Sequence, residues 1–212
     1  MKTLTSLLIA FACLSCFGQS PSELENFDYG KTDKGVYTNT FFGMKLSFNP
    51  EWFVSSQDQL KQIEEVGTEM AAGEDESLSA VIKASQVNTA QLLGISKYEW
   101  GAAVEFNPSL MLVAENTKLS PGIKTGKDYL FHAKRLLKVS QIEYYFEKEV
   151  YEKQIGNSLF YVLEAKFDYL GMTIIQEYIS TVSKGFSLSF IVSYVSEKDR
   201  KELEKFIDNI EI

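Results

Sequence analysis

One histidine, His132, and two cysteines, Cys13 and Cys16, leave this 212-residue chain with little of the usual catalytic or metal-binding chemistry. A zinc centre needs three or four nitrogen or sulfur ligands, and carboxylates alone suit it poorly. A Ser-His-Asp arrangement needs an activated nucleophile beside its base, and no G-x-S-x-G elbow occurs to present one. The string Gly122-Ile123-Lys124-Thr125-Gly126-Lys127 lacks both Walker spacing and the following Ser or Thr. Its expected job is to turn the chain and open a helix. No D-x-D-x-D-G calcium loop is present. These absences point away from cofactors and metals, and the expectation is a protein without catalysis.

Positive charge is also scarce. Lys and Arg number 21 against 29 Asp and Glu, a formal net charge of −8. Removing an N-terminal leader would take Lys2 with it and make the balance one unit more negative. Such a chain repels phosphate backbones, so nucleic acid is not the expected partner. No basic amphipathic helix offers itself to an anionic lipid surface either.

What is present begins with an export signal. After Met1-Lys2 an apolar run extends from Leu4 to Phe17, interrupted by Thr5, Ser6 and Ser15. It is too short to span a bilayer and has the size of a signal-peptide core. Gly18, with Cys16 two positions earlier, suits cleavage that leaves Gln19 first. The ending Cys16-Phe17-Gly18-Gln19 resembles leaders of Bacteroidetes-type bacteria. Periplasmic or secreted location is the first expectation. A lipid anchor on a leader cysteine, Cys16 or Cys13, is the second, although bulky Leu14 and Phe11 sit two residues before them. No cysteine follows, so a mature domain would have neither disulfide nor thiolate chemistry.

Residues 19–34 are polar and read as a tether, leaving a single domain over 35–212. Met44, Leu46 and Phe48 alternate with Lys45 and Ser47, the period of a half-buried strand. Asn49-Pro50 turns the chain toward a strand at Trp52-Phe53-Val54. Gln57 to Ala72 has helical spacing and Gly73 stops it. Ser77 to Val87 is read as a strand through Leu78, Ala80 and Ile82. Further strands are expected at Leu92 to Ile95 and Leu110 to Ala114. Thr125, with Asp128 three residues on, opens a helix whose buried stripe is Tyr129, Leu130, Ala133, Leu136 and Leu137.

From Glu143 to Tyr194 four alternating runs are divided by short turns at Ile155-Gly156-Asn157, Leu170-Gly171 and Lys184-Gly185. This spacing predicts an antiparallel meander. Ser196 and Asp199 then cap a final helix that buries Leu203, Phe206, Ile207 and Ile210. The expected fold class is α+β, an antiparallel sheet with a C-terminal meander and helices packed on it.

Three segments carry a family resemblance. The opening GVYTNTFFGMKLSFNPEW resembles the start of PsbP-like domains, where an aromatic-rich strand leads through a Pro turn to a Trp. The meander ending in a capped helix is similar to that superfamily, whose members include a subunit of the photosynthetic oxygen-evolving complex and a nuclear-import factor that binds a small GTPase. VEFNPSLMLVAEN with PGIKTGKDYLFHAKRLL looks like exported bacterial members of the group. The resemblance covers residues 35–212. It implies an α-β-α sandwich and a non-enzymatic binding or assembly role; with the export signal, the expectation is a cell-envelope module whose partner is a protein or envelope component. It carries no ligand residue onto this chain.

Candidate sites follow from what remains. Lys97 to Pro108 reads as a long loop holding Tyr98, Trp100 and Phe106, residue types that anchor partners when exposed. The competing reading folds these rings into the core. Glu74-Asp75-Glu76 reads as a solvated acidic turn. Glu143, Glu147 and Glu149 read as one water-facing side of an edge strand, where charge blocks aggregation. His132 is expected on a helix flank. Two rival functions remain: a hydrolase of envelope or extracellular glycans built from two carboxylates facing each other in a cleft, and a carrier of an apolar ligand between helix and sheet.

Overall fold

The computed structural model describes residues 27–212. The leader, Cys13 and Cys16 lie outside these residues. The fold is α+β. Three short strands, β1 (Lys31–Asp33), β2 (Val36–Asn39) and β3 (Met44–Ser47), form a small antiparallel sheet. A second, seven-stranded sheet has the order β4-β5-β6-β10-β9-β8-β7. Its strands are β4 (Phe53–Val54), β5 (Thr89–Ser96), β6 (Ser109–Asn116), β7 (Tyr151–Ile155), β8 (Ser158–Tyr169), β9 (Met172–Ser183) and β10 (Phe186–Tyr194), all paired antiparallel. Helices α1 (Gln57–Ala72), α2 (Glu76–Gln86) and α3 (Gly126–Val139) line one face of this sheet. Helix α4 (Glu197–Asp208) and the small sheet line the other.

The meander is built as its turns dictate. Leu170-Gly171 and Lys184-Gly185 each place two consecutive residues at positive φ. That is the type I′ geometry whose twist matches flanking strands, and glycine at the second position relieves most of the strain. The resulting strands are long, and β10 is buried along its whole length because it lies centrally. Phe186, Leu188, Phe190, Val192 and Tyr194 enter the core shared with α4 and the small sheet. Ile191 enters the helix-side core. The serines between them are buried too: Ser187 lies 3.3 Å from Ser189, Ser189 lies 2.6 Å from Ser180 of β9, and Ser193 accepts from the Gln176 side chain.

The helix caps agree with expectation. Thr125 and Asp128 form a reciprocal capping box at α3, and Ser196 accepts from the Asp199 amide at α4. Gly126 is demanded by packing. A Cβ there would lie 1.9 Å from the Ser180 carbonyl oxygen, so the first turn of α3 rests directly on the backbone of β9.

Three expectations need correction. Ser77 to Val87 is not a strand; it lies largely in helix α2. The buried positions are Leu78, Ile82 and Ser85, a spacing near 3.6, while Ala80 is exposed. The acidic run beside it is explained by the same helix: Asp75 is its N-cap and Glu76 lies in its first turn, where a helix favours negative charge. The first run of the meander starts at Tyr151 and not at Glu143. Residues 143–150 lie along β8 irregularly, joined by paired backbone bonds between Tyr145 and Lys166 at 2.9 and 3.0 Å. Finally, residues 27–34 of the expected tether belong to the fold. β1 pairs with β2, and Phe27 packs against Phe41, Phe42 and Phe186.

Helix α4 is held across layers. Trp52 packs edge-on against Phe206, with ring centres 4.9 Å apart. Lys97 at the end of β5 reaches Asp199 at 3.0 Å and Glu202 at 2.8 Å, and the Trp52 indole donates to Glu202. Burial works against the charge of Lys97, yet its bonds to Glu202 and Asp199 raise its pKa above the ordinary value.

Candidate functional site

The three loop aromatics are separated by the structure. The loop is tied at its base, where the Lys97 amide donates to the Pro108 carbonyl at 2.9 Å. The Asn107 side chain accepts from the Tyr98 amide and donates to the Tyr98 carbonyl. Phe106 is buried in the helix-side core, so its ring is not presented to a partner. Trp100 packs against the same core, half-buried. Its indole N–H and the Ser109 hydroxyl are buried without a hydrogen-bond partner among the described residues, and both residues line a hollow of about 10 Å³. Tyr98 alone of the three is exposed. His132 is exposed on α3 with its ring edge-on to Phe131. Glu143, Glu147 and Glu149 do not form one strand face. All three are exposed to water, but the segment that carries them is irregular and not a strand, and Glu147 pairs with Lys166.

A different constellation comes together beside the N-terminus of α4. Along one face of β8, Phe160 and Val162 are core, and Glu164 and Lys166 follow. On the matching face of β9, Ile179 is core, and Glu177 and Ile175 follow. The pattern changes from apolar to charged at Glu164, Lys166 and Glu177, while Ile175 still leans on the core. Beyond that point lies an open cleft of about 400 Å³, walled by residues from β7, β8, β9, β10, α4 and the segment before β7.

Glu164 and Glu177 are direct cross-strand partners on its floor. Like charges so placed repel. Glu164, nearly fully buried, is compensated by Lys148 at 2.9 Å and Lys166 at 3.7 Å. Lys166 is shared with Glu147, whose bond raises the lysine's pKa most, with burial opposing. Glu177 pairs with no cation among the described residues; it accepts a 2.6 Å bond from the Tyr194 hydroxyl. Burial first, and the Glu177 charge second, push Tyr194 far above the ordinary phenol range. Tyr151, also on the wall, is pushed up to about 12 by burial and then by Glu177 and Glu164. Both phenols therefore stay neutral at physiological pH and offer hydroxyls. Arg200 closes the α4 side. It forks onto Glu197 with two 2.8 Å bonds and reaches Glu204 at 3.3 Å, and the Glu197 bond chiefly raises its pKa.

The motifs inspected in the sequence did not include this cleft, yet a signal for it existed. A two-residue turn pairs residues equidistant from it, and Glu164 and Glu177 each stand six positions from Leu170-Gly171.

No known protein family matches the chain, and no curated protein does. Among solved structures, the chain is similar to a protein of unknown function from Pseudomonas aeruginosa. The likeness has a TM-score of 0.39 at 11% identity and covers 49% of this chain and 72% of that one. A likeness at that level carries no argument about this chain.

Proposed function

We propose that this is an exported, non-catalytic binding module of the cell envelope, and that it takes a small polar ligand or a polar side chain of a partner in the cleft beside α4. The observation that carries this is the cleft's wall. It has room for a small molecule, and its charged side chains come from two strands, a helix and a preceding segment, yet they are tied to one another and not arranged as a nucleophile beside a base. The apolar leader and the PsbP-like opening support the envelope role. Among the described residues no helix is long and apolar enough to cross a membrane.

Titrating the purified protein with a cationic, an anionic and a neutral polar probe, while following backbone amides by NMR, tests the binding site. The proposal expects shifts gathered at Glu164, Glu177 and Ser196 for at least one class. Shifts gathered at Tyr98 and Trp100 would return the site to the aromatic loop.

A second reading is favoured by one observation. Glu164 and Glu177 are two acids that share a cleft, and a carboxylate-dependent hydrolase needs an acid pair in a cleft. The geometry supports it less well. Direct cross-strand partners stand side by side on one floor, with Cβ atoms about 5 Å apart, whereas glycosidase acids flank the scissile bond. Hydrolysis of envelope glycans that disappears in Glu177→Gln would establish this reading over the first. The apolar-carrier reading gains no such support, because the hollows under α1 and α4 are about 10 Å³ each, room for roughly one water.

A further inference from the structure

The charges around the cleft floor do not balance. Three acids, Glu147, Glu164 and Glu177, stand near two lysines, Lys148 and Lys166. Both lysines bond Glu147 or Glu164, which leaves Glu177 as the acid without a cation. On the α4 side Arg200 serves both Glu197 and Glu204. Lys201 also reaches Glu197 and Lys153 also reaches Glu204, so the surplus negative charge lies on the floor at Glu177, whose carboxylate the Tyr194 hydroxyl already orients. An anionic or uncharged ligand would leave the opposition of Glu164 and Glu177 unrelieved. A cation placed against Glu177 would relieve it.

Donor geometry narrows the kind of cation. Among the described residues no three Asp, Glu, His or Cys side chains gather closely enough to hold a metal ion. A primary ammonium needs less. It has three N–H donors and carries its charge on a short stem, so one carboxylate with neighbouring hydroxyl and carboxylate oxygens satisfies it. Glu177, the Tyr151 hydroxyl and the remaining capacity of Glu164 offer those acceptors on one wall. A volume of about 400 Å³ admits an alkyl-ammonium of several carbons.

Resting on the binding reading of this cleft, we infer that its ligand is a primary alkyl-ammonium group, and that Glu177 is the residue that selects it. The group could come from a free diamine or from a lysine side chain of a partner, and the test separates these. The purified protein is titrated with 1,4-diaminobutane, with N-acetyl-lysine amide, with inorganic phosphate and with glucose, and binding is read by calorimetry and by amide shifts. At least one of the two ammonium probes binds at the cleft, and which of them binds more tightly identifies the source. That binding weakens about tenfold or more in Glu177→Gln, as expected when a roughly 1.4 kcal/mol charge contact is lost, and it weakens as salt rises. Asp168→Asn removes a carboxylate from the neighbouring strand β8, outside the cleft wall, and leaves binding unchanged. Cleft shifts with phosphate or glucose but with neither ammonium probe would overturn the inference and leave the cleft as the binding site. Equal ammonium affinity in Glu177→Gln would likewise overturn it. No response to any of the four probes would overturn both the inference and the binding reading.

Discussion

The two faces of the β8–β9 hairpin are finished differently. On one face Leu163, Ala165 and Tyr178 are buried beneath α3, and the helix lies so close that Gly126 admits no Cβ against Ser180. On the other face, one residue along each strand, Glu164, Lys166 and Glu177 stand in an open cleft. The same strands and the same turn therefore serve two purposes, because side chains alternate across a sheet. The contrast teaches where to look for function in a scaffold without catalytic motifs. A face closed by a helix reports on stability. A face whose apolar pattern stops partway along a strand reports on what the cover leaves open.

The largest expected effect comes from breaking the closed face. Gly126→Ala sets a methyl against backbone that cannot rotate away, so α3 must shift on β9. Overpacking of this kind costs about 1–3 kcal/mol. Urea denaturation should register a loss at the upper end of that range; stability within about 0.5 kcal/mol of wild type would mean that α3 can shift on β9 without loss. On the open face the expected change is small and of opposite sign. Glu177→Gln removes one of two opposed like charges and keeps a hydrogen-bond acceptor for Tyr194. Stability should stay level or rise by about 0.5 kcal/mol. A clear loss would assign Glu177 to the structure of the hairpin and undo the contrast between the faces.

Much of the scaffold was legible because its signals are local. The I′ turns at Leu170-Gly171 and Lys184-Gly185, the Thr125–Asp128 box and the stripe Leu203, Phe206, Ile207 each act within a few residues. Helix α2 was misread because Leu78, Ala80 and Ile82 fit a strand period over five residues, and only Ser85 and the Asp75 cap break the tie. Residues 27–33 were misread because their polar composition hides a side-chain contact thirteen positions away, Asp28 to Phe41. The cleft was missed for a different reason. It depends on which part of β8 and β9 α4 covers, and that is decided by where α4 docks, through Trp52, Lys97 and Phe206 from three separate stretches of chain. Trp100 and Phe106 look alike in the loop sequence, yet both rings lean on the helix-side core, and only Tyr98 is left outside.

Acid gives the gentlest way to compare the faces, because each has one carboxylate that organises backbone amides. On the α3 side Asp128 accepts from the Thr125 hydroxyl and from the Lys124 and Thr125 amides, which lowers its pKa. On the other side Asp28 accepts chiefly from the Thr40 hydroxyl, then from the Gly30, Phe41 and Thr40 amides, and is lowered to about 2. A carboxylate held below its ordinary value stabilises the fold above that value, and the contribution fades as pH falls through the folded pKa. For Asp28 the window runs from about pH 4 down to about 2. The consequences should differ between the faces. Helix α3 keeps its packed stripe from Tyr129 to Leu137 and stays in place when Asp128 takes a proton. The strand β1 is exposed, and beyond its edge pairing with β2 the segment is held by Phe27 and by bonds from the Tyr37 hydroxyl to the Tyr29 carbonyl and from the Asn39 side chain to the Asp28 carbonyl. Lowering the pH should therefore free residues 27–33 while the Lys124 and Thr125 amides shift without loss of α3. Amide exchange across that window tests it, with Asp28→Ala expected to show the freed segment already at neutral pH. Protection of the Gly30 and Thr40 amides that persists at pH 2, or in Asp28→Ala, would show that the aromatic contacts of Phe27 alone hold this edge.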